Sequence, residues 1–282
     1  MRSSNPVFSR RGFSRDNGYA GFNAAPQAGG PAAVQTGNPY AGTNPYAQQA
    51  QPQQMYGAPP QADRMTMDDV VMRTGMTLGT VVIGAAIGWF ALSGPDRFGF
   101  AIGCALVAMV LGLIQAFKRK PSPPLILAYA AFEGLFLGAL SGAINEQFEG
   151  APMQAVLGTM AVFAGVLIAY KTRIIRVTQR FYRFVMAAAI GFVLLTAVNL
   201  LFMAFGGGDG LGFRSGGLGI VFGIVGIVLG AAFLALDFKQ VEDGLAYGAP
   251  REESWLAAFG LTLTLVWIYL EMLRLIAILR GD

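Results

Sequence analysis

Seven apolar stretches follow one another between residues 76 and 279. Each is close to the ~20 residues that an α-helix needs to cross a ~30 Å hydrocarbon core. Lipid offers no partner for an exposed backbone N–H or C=O, so stretches of this kind cross as helices. The spacing predicts helices over 76–94, 98–117, 124–145, 152–171, 183–205, 216–238 and 255–279. The breaks fit this division. Gly94-Pro95-Asp96 is a tight turn, Lys118-Arg119-Lys120-Pro121 is a charged stop before a helix breaker, and Gly206-Gly207-Gly208-Asp209-Gly210 is a costly sequence for a helix. Residues 66–282 are therefore expected to form an all-α membrane domain, a seven-transmembrane-helix bundle.

Residues 1–65 are of a different kind. They are rich in Gly, Pro, Ala, Gln and Asn, and Asn-Pro-Tyr-Ala occurs at 38–41 and again at 44–47. Such a segment buries too little apolar surface to offset its chain entropy, which predicts a disordered tail. It has no continuous apolar region of the signal-peptide kind. Its Arg- and Ser-rich opening resembles a transit peptide, but the stretch soon turns Gly/Pro/Gln-rich, which favours a solvated tail. Its Tyr-Pro pattern offers a motif to a partner domain, but a solvated tail is the favoured reading there too.

Orientation is read from Lys and Arg. Of the 20, 16 fall in the tail and in the connections after helices 2, 4 and 6, or beside them. Arg97, Arg214, Arg274 and Arg280 fall towards the other side. Basic loops stay cytoplasmic. The expectation is a multi-pass plasma (inner) membrane protein with its N-terminus inside and its C-terminus outside.

Composition removes several chemistries. Charged residues are 13% of the chain, about half the usual share for a soluble domain. There is no histidine, which excludes a Ser-His-Asp triad, a Cys-His pair and a His-ligated zinc. The single cysteine, Cys104, has no disulfide partner within the chain. No Walker A loop, dinucleotide fingerprint or metal-ligand cluster is present. Gly206-Gly207-Gly208-Asp209 matches the Gly-x-Gly-Asp of intramembrane aspartyl proteases, but it falls in a loop and lacks that family's Tyr-Asp partner. No enzyme activity, cofactor or nucleic-acid partner is expected.

Small residues mark the packing faces, because they let helices approach closely in lipid. Gly134, Gly138 and Gly142 recur on helix 3, and Gly216, Gly219, Gly223, Gly226 and Gly230 on helix 6. Ala257, Gly260, Thr264, Trp267 and Glu271 share a face of helix 7. These faces should point into the bundle.

Ionisable groups at membrane depth are costly and mark function by default. Glu133 lies mid-span in helix 3, one turn after Tyr129, a possible hydrogen-bond partner. Glu133→Leu is expected to destabilise the fold by leaving buried partners unsatisfied, and Glu133→Gln to leave it nearly intact. Asp237 ends helix 6 in register with its glycines, where the helix dipole disfavours an anion. Its alternative reading is an interfacial Asp beside Lys239. Glu271 on helix 7 lies three residues before Arg274, and an ion pair explains it at least as well as function. The loop acids Glu242, Asp243, Glu252 and Glu253 read as solvated, and Thr196 and Asn199 as interhelical hydrogen-bonders.

These segments resemble the Bax inhibitor family of transmembrane proteins, in its bacterial branch. Glu133-Gly134-Leu135-Phe136-Leu137-Gly138 is similar to the family's Glu-Gly-x-x-x-Gly segment. Asp237-Phe238-Lys239-Gln240-Val241 resembles the ending of its sixth helix, and Leu273-Arg274-Leu275 its terminal stretch. The resemblance spans about residues 70–280. It implies a seven-helix bundle with the last helix near the centre. It also implies a pH-sensitive calcium leak gated by two aspartates. The first maps onto Asp237. The position of the second holds Thr264, so Asp237 needs another partner, Glu133 being one candidate, or the pH switch is altered. The expected partners are then the lipid bilayer and calcium ions. The alternative is a non-conducting membrane regulator that acts through protein partners.

Overall fold

The computed structural model describes residues 64–91, 96–206 and 216–281. They form α1 (Met67–Ala91), α2 (Asp96–Phe117), α3 (Pro123–Gln147), α4 (Ala151–Lys171), α5 (Gln179–Gly206), α6 (Gly216–Tyr247) and α7 (Glu253–Gly281). All seven are long and apolar enough to cross a bilayer. The chain is a multi-pass membrane protein with the helices that the spacing predicts. The expected disordered tail up to residue 63, the turn at 94–95, the glycine-rich segment 207–210 and Arg214 lie outside the described residues.

Two helix ends differ from expectation in ways that matter. α1 begins at Met67 rather than at residue 76 because Thr66 and Asp69 cap it reciprocally. The Thr66 hydroxyl accepts the Asp69 N–H at 3.2 Å, and the Asp69 carboxylate accepts the Thr66 N–H at 3.3 Å. α6 continues past residue 238 to Tyr247. Lys239 and Asp243 pair one turn apart at 2.7 Å, and Val241 is buried. The helix stops at Gly248, whose φ of +68° suits glycine, with the Ala249 N–H bonded back to the Gly244 carbonyl at 2.9 Å. Asp237 is therefore in the interior of α6, and the helix-end dipole does not act on it.

α7 is the central helix and packs against α1, α3, α4 and α6. α1 and α3 meet backbone to backbone. A Cβ on Gly88 would stand 2.3 Å from the Leu135 carbonyl oxygen, one on Gly134 2.3 Å from that of Val81, and one on Gly138 2.0 Å from that of Ala85. Gly142, also on this face, lies over the Arg97 guanidinium. The α6 glycines 223, 226 and 230 face α7, against Leu275, Glu271 and Ile268. Both glycine faces point inward as expected, except Gly216 at the exposed start of α6.

Consecutive spans alternate in direction. The start of α1 and the α2–α3, α4–α5 and α6–α7 connections thus share one side, here termed the basic side. The fold extends to Arg64 and Met65, which the composition assigns to the tail. The Met65 N–H bonds the Ala249 carbonyl at 2.8 Å, and Arg64 bridges Pro250. Arg251 pairs with Asp69 at 2.8 Å. The Arg73 guanidinium donates to the Arg251 carbonyl and the Ser254 hydroxyl, and lies 5.3 Å over the Trp255 ring. On the opposite side Arg97 is not in a loop. It is buried in the first turn of α2 and pairs with Glu146 at 2.6 Å.

Candidate functional site

The seam between α6 and α7 holds the ionisable groups that the sequence singles out, with one exception. Asp237 projects from α6 onto α7, where the Thr264 hydroxyl donates to its carboxylate at 2.6 Å. One turn earlier on α7, a Cβ on Gly260 would stand 3.4 Å from the other carboxylate oxygen. Gly260 and Thr264 thus form an i, i+4 cradle for the carboxylate, one residue leaving room and the other supplying a donor. Beside it, Phe238 packs on Phe163 and Tyr170 of α4, with ring centroids 5.8 Å away in each case. The other charged groups at this level are engaged elsewhere. Lys239 turns to Asp243, and Tyr170 donates its hydroxyl to Glu242. Glu242 and Asp243, read as merely solvated loop acids, thus lie on α6 and hold named partners, Tyr170 of α4 and Lys239 of α6.

Further along the seam, the Trp267 indole N–H donates to the Gly226 carbonyl at 3.1 Å. Glu271 seats on the same glycine, where an added Cβ would stand 2.9 Å from its carboxyl carbon. It pairs with Arg274 at 2.5 Å, as the spacing of three suggests. Gly226 lies eleven residues before Asp237, about 16 Å along the helix. Asp237 and Glu271 therefore occupy opposite ends of one glycine-lined seam.

Glu133 is the exception. It is buried on α3, 9% exposed. No hydrogen bond or ion pair joins it to Asp237 among the described residues, so the pairing that would replace the missing second aspartate does not form. Nor does Tyr129 serve it. That ring lies edge-on to Phe259, with centroids 5.2 Å apart and planes at 80°. Glu133 has no protein hydrogen-bond partner among the described residues, so Glu133→Leu strands none. Asn199 is buried, and the Thr196 hydroxyl, expected to bridge helices, has no hydrogen-bond partner among the described residues.

Other polar contacts of α7 were not legible as pairs. Thr262 meets the Thr77 hydroxyl at 3.0 Å, and Tyr269 meets that of Ser141 at 2.6 Å. The Thr66-x-x-Asp69 spacing, a capping-box pattern, is the signal that would have placed the start of α1. Among the described residues, no group of three or more His, Cys, Asp or Glu could hold a metal ion.

Two comparisons bear on this arrangement. A family model described as "Bax inhibitor 1 like" matches residues 5–281. An uncharacterized protein of Chlamydia muridarum (strain MoPn / Nigg) is 31% identical over 129 residues, which cover 43% of this chain and 54% of that relative. The chain thus spans about half the length of the curated relative that it matches.

Proposed function

The chain belongs to the Bax inhibitor 1-like family, and on that premise we propose that it is a pH-sensitive cation leak of the plasma membrane, with calcium as the ion and the Asp237–Thr264 contact as its gate. The observation that carries this reading is the carboxylate at the α6–α7 seam, held by one hydroxyl at 2.6 Å. An ionised carboxylate accepts a strong, charge-assisted hydrogen bond from Thr264. Protonation weakens that bond and removes a cation ligand in the same step. Calcium takes six to eight oxygen ligands in a tight site. A lone carboxylate is too poor a site to retain the ion, which suits passage rather than storage. Glu133 and Glu271 are the further acids available to line the path.

The missing second aspartate changes the expected titration. Two adjacent carboxylates share protons and titrate as a coupled pair. Thr264 does not titrate, so Asp237 takes up its proton alone. Calcium flux into liposomes holding the purified full chain, followed across pH, tests the proposal. The expected result is a flux with a one-proton pH dependence. Empty-liposome rates at every pH would reject it.

A second reading is a non-conducting regulator that acts through the tail. What favours it is the docking of Arg64 and Met65 on the α6–α7 loop, which ties the tail to the helices that carry Asp237. Removing residues 1–63 separates the readings, because a leak keeps its flux without them. No enzyme activity is part of either reading, since the chain has no histidine and no catalytic motif.

In either reading the basic side faces the cytoplasm. Reporters inserted at Lys120 or Arg176 are expected inside the cell, and one fused after Asp282 outside. An inside C-terminal reporter would contradict the orientation.

A further inference from the structure

A cavity of about 530 Å³ opens on the basic side, where α5 and the overhanging end of α6 diverge. Val177, Thr178 and Tyr182 line one wall, and Lys239, Gln240 and Asp243 the other. Its existence follows from two features of the fold. α6 has 32 residues, about 48 Å at 1.5 Å per residue, so it outruns a ~30 Å hydrocarbon core. α5 packs on α6 through Val185, Phe192 and Leu229, and the cavity lies between the start of α5 and the last turns of α6.

Basic residues outnumber acidic ones around this cavity. Lys171, Arg173, Arg176, Arg180 and Arg183 are exposed on the end of α4, the connection and the start of α5. Lys239 is inside the cavity wall. The neighbouring acids are already engaged, Asp243 by Lys239 at 2.7 Å and Glu242 by the Tyr170 hydroxyl. An ammonium has three donors, so Lys239 keeps donors for a second anionic partner. Thr178, Gln179 and Gln240 add neutral polar groups. The same corner is also apolar on its outer face. Ile174 is 77% exposed, Phe184 71% and Tyr182 46%. Cations around a mainly apolar cavity that carries a few polar groups, beside an apolar wall at the membrane surface, match an anion that carries hydrocarbon chains. A soluble anion would have no use for that wall.

We propose that this cavity binds the headgroup of an anionic glycerophospholipid, with its phosphate on Lys239 and its acyl chains against α5. The site is separate from the Asp237–Thr264 contact and does not depend on ion conduction. Basic pockets between helices at the membrane surface are suited to such headgroups.

Native mass spectrometry of the purified full chain, with phosphatidylglycerol and phosphatidylcholine added in equal amounts, tests it. Wild type is expected to retain one phosphatidylglycerol with a preference of about fivefold or more, the factor that one basic residue contributes near a membrane surface. Lys239→Ala should abolish the preference, and Lys239→Arg should keep it, which separates loss of the site from loss of the fold. Arg119→Ala, an equal charge change on the same side but in the α2–α3 connection, should leave it unchanged. Retention of the preference in Lys239→Ala, or equal loss in Arg119→Ala, would overturn the site. So would displacement of the lipid by millimolar glycerol phosphate, which would mark a pocket for free anions.

Discussion

Gly138→Ala is expected to lower stability by about 3 kcal/mol, the upper end of the range for overpacking a close-packed contact. The added Cβ would stand 2.0 Å from the Ala85 carbonyl oxygen and 2.7 Å from its carbon. Both are backbone atoms of α1, which no rotamer change can move aside. Relief requires α1 and α3 to separate, and this loosens the neighbouring glycine contacts at Gly84, Gly88 and Gly134 as well. Gly103→Ala on α2 is the control, because a Cβ there meets nothing within 4 Å. That change should be neutral, or stabilising by up to about 1 kcal/mol through helix propensity. Unfolding of both variants in the same mixed micelles checks the difference. Equal stabilities would show that α1 and α3 do not pack through their glycines.

Glu133→Leu is expected to stabilise the protein, by roughly 1–3 kcal/mol. The carboxyl group is buried, 9% exposed, and accepts or donates no hydrogen bond among the described residues. Removing it forfeits no partner and lifts the cost of a polar group at membrane depth, which is a few kcal/mol on insertion scales. Glu133→Gln keeps a polar group there and should gain much less. A carboxyl group retained at such a cost has its reason outside stability. The same Leu variant is therefore expected to conduct less than wild type in liposomes. A destabilised Glu133→Leu would mean instead that the group has a structural partner, and its place in the ion path would be withdrawn.

The seven spans were legible because each repeats one constraint, about 20 apolar residues closed by a charge or a helix breaker. The glycine faces of α3 and α6 were legible for a related reason, since steps of three and four residues put them on one side of a helix. Gly84 and Gly88 show the same step on α1 and face α3, yet α1 offers other glycines, Gly75 and Gly79, that meet nothing. Spacing alone does not separate the two sets. The end of α6 was misplaced because Phe238-Lys239-Gln240 looks like an exit from the membrane. A change from apolar to charged residues marks the end of the lipid, not the end of the helix. The start of α1 was missed for the mirror-image reason.

At the site, Asp237 was found by its register with the α6 glycines, and Thr264 through the family resemblance. Their contact at 2.6 Å needs the relative height of two helices, which no periodicity within either one supplies. The suggested substitute, Glu133, fails for the same reason. It is buried on α3 while Asp237 is half-buried on α6, and no hydrogen bond or ion pair joins them among the described residues. The Thr77–Thr262 and Ser141–Tyr269 pairs join residues more than a hundred positions apart, and each hydroxyl alone looks like any other in a membrane helix.

The central claim is that one titrating carboxylate at the α6–α7 seam governs a cation leak. The most direct measurement is calcium flux against pH, in liposomes of one lipid composition, for wild type and Asp237→Asn side by side. The amide keeps the size of the group and still accepts the Thr264 hydroxyl, but it has no proton to gain or lose. The charged and titratable groups near it, Lys239, Asp243, Tyr170 and Glu242, are paired with one another, and Glu271 and Arg274 sit about three turns further along the seam. The expected result is a one-proton pH dependence in wild type that is flat in Asp237→Asn. A pH dependence that survives unchanged in Asp237→Asn would contradict the claim and place the proton-sensing group elsewhere in the bundle.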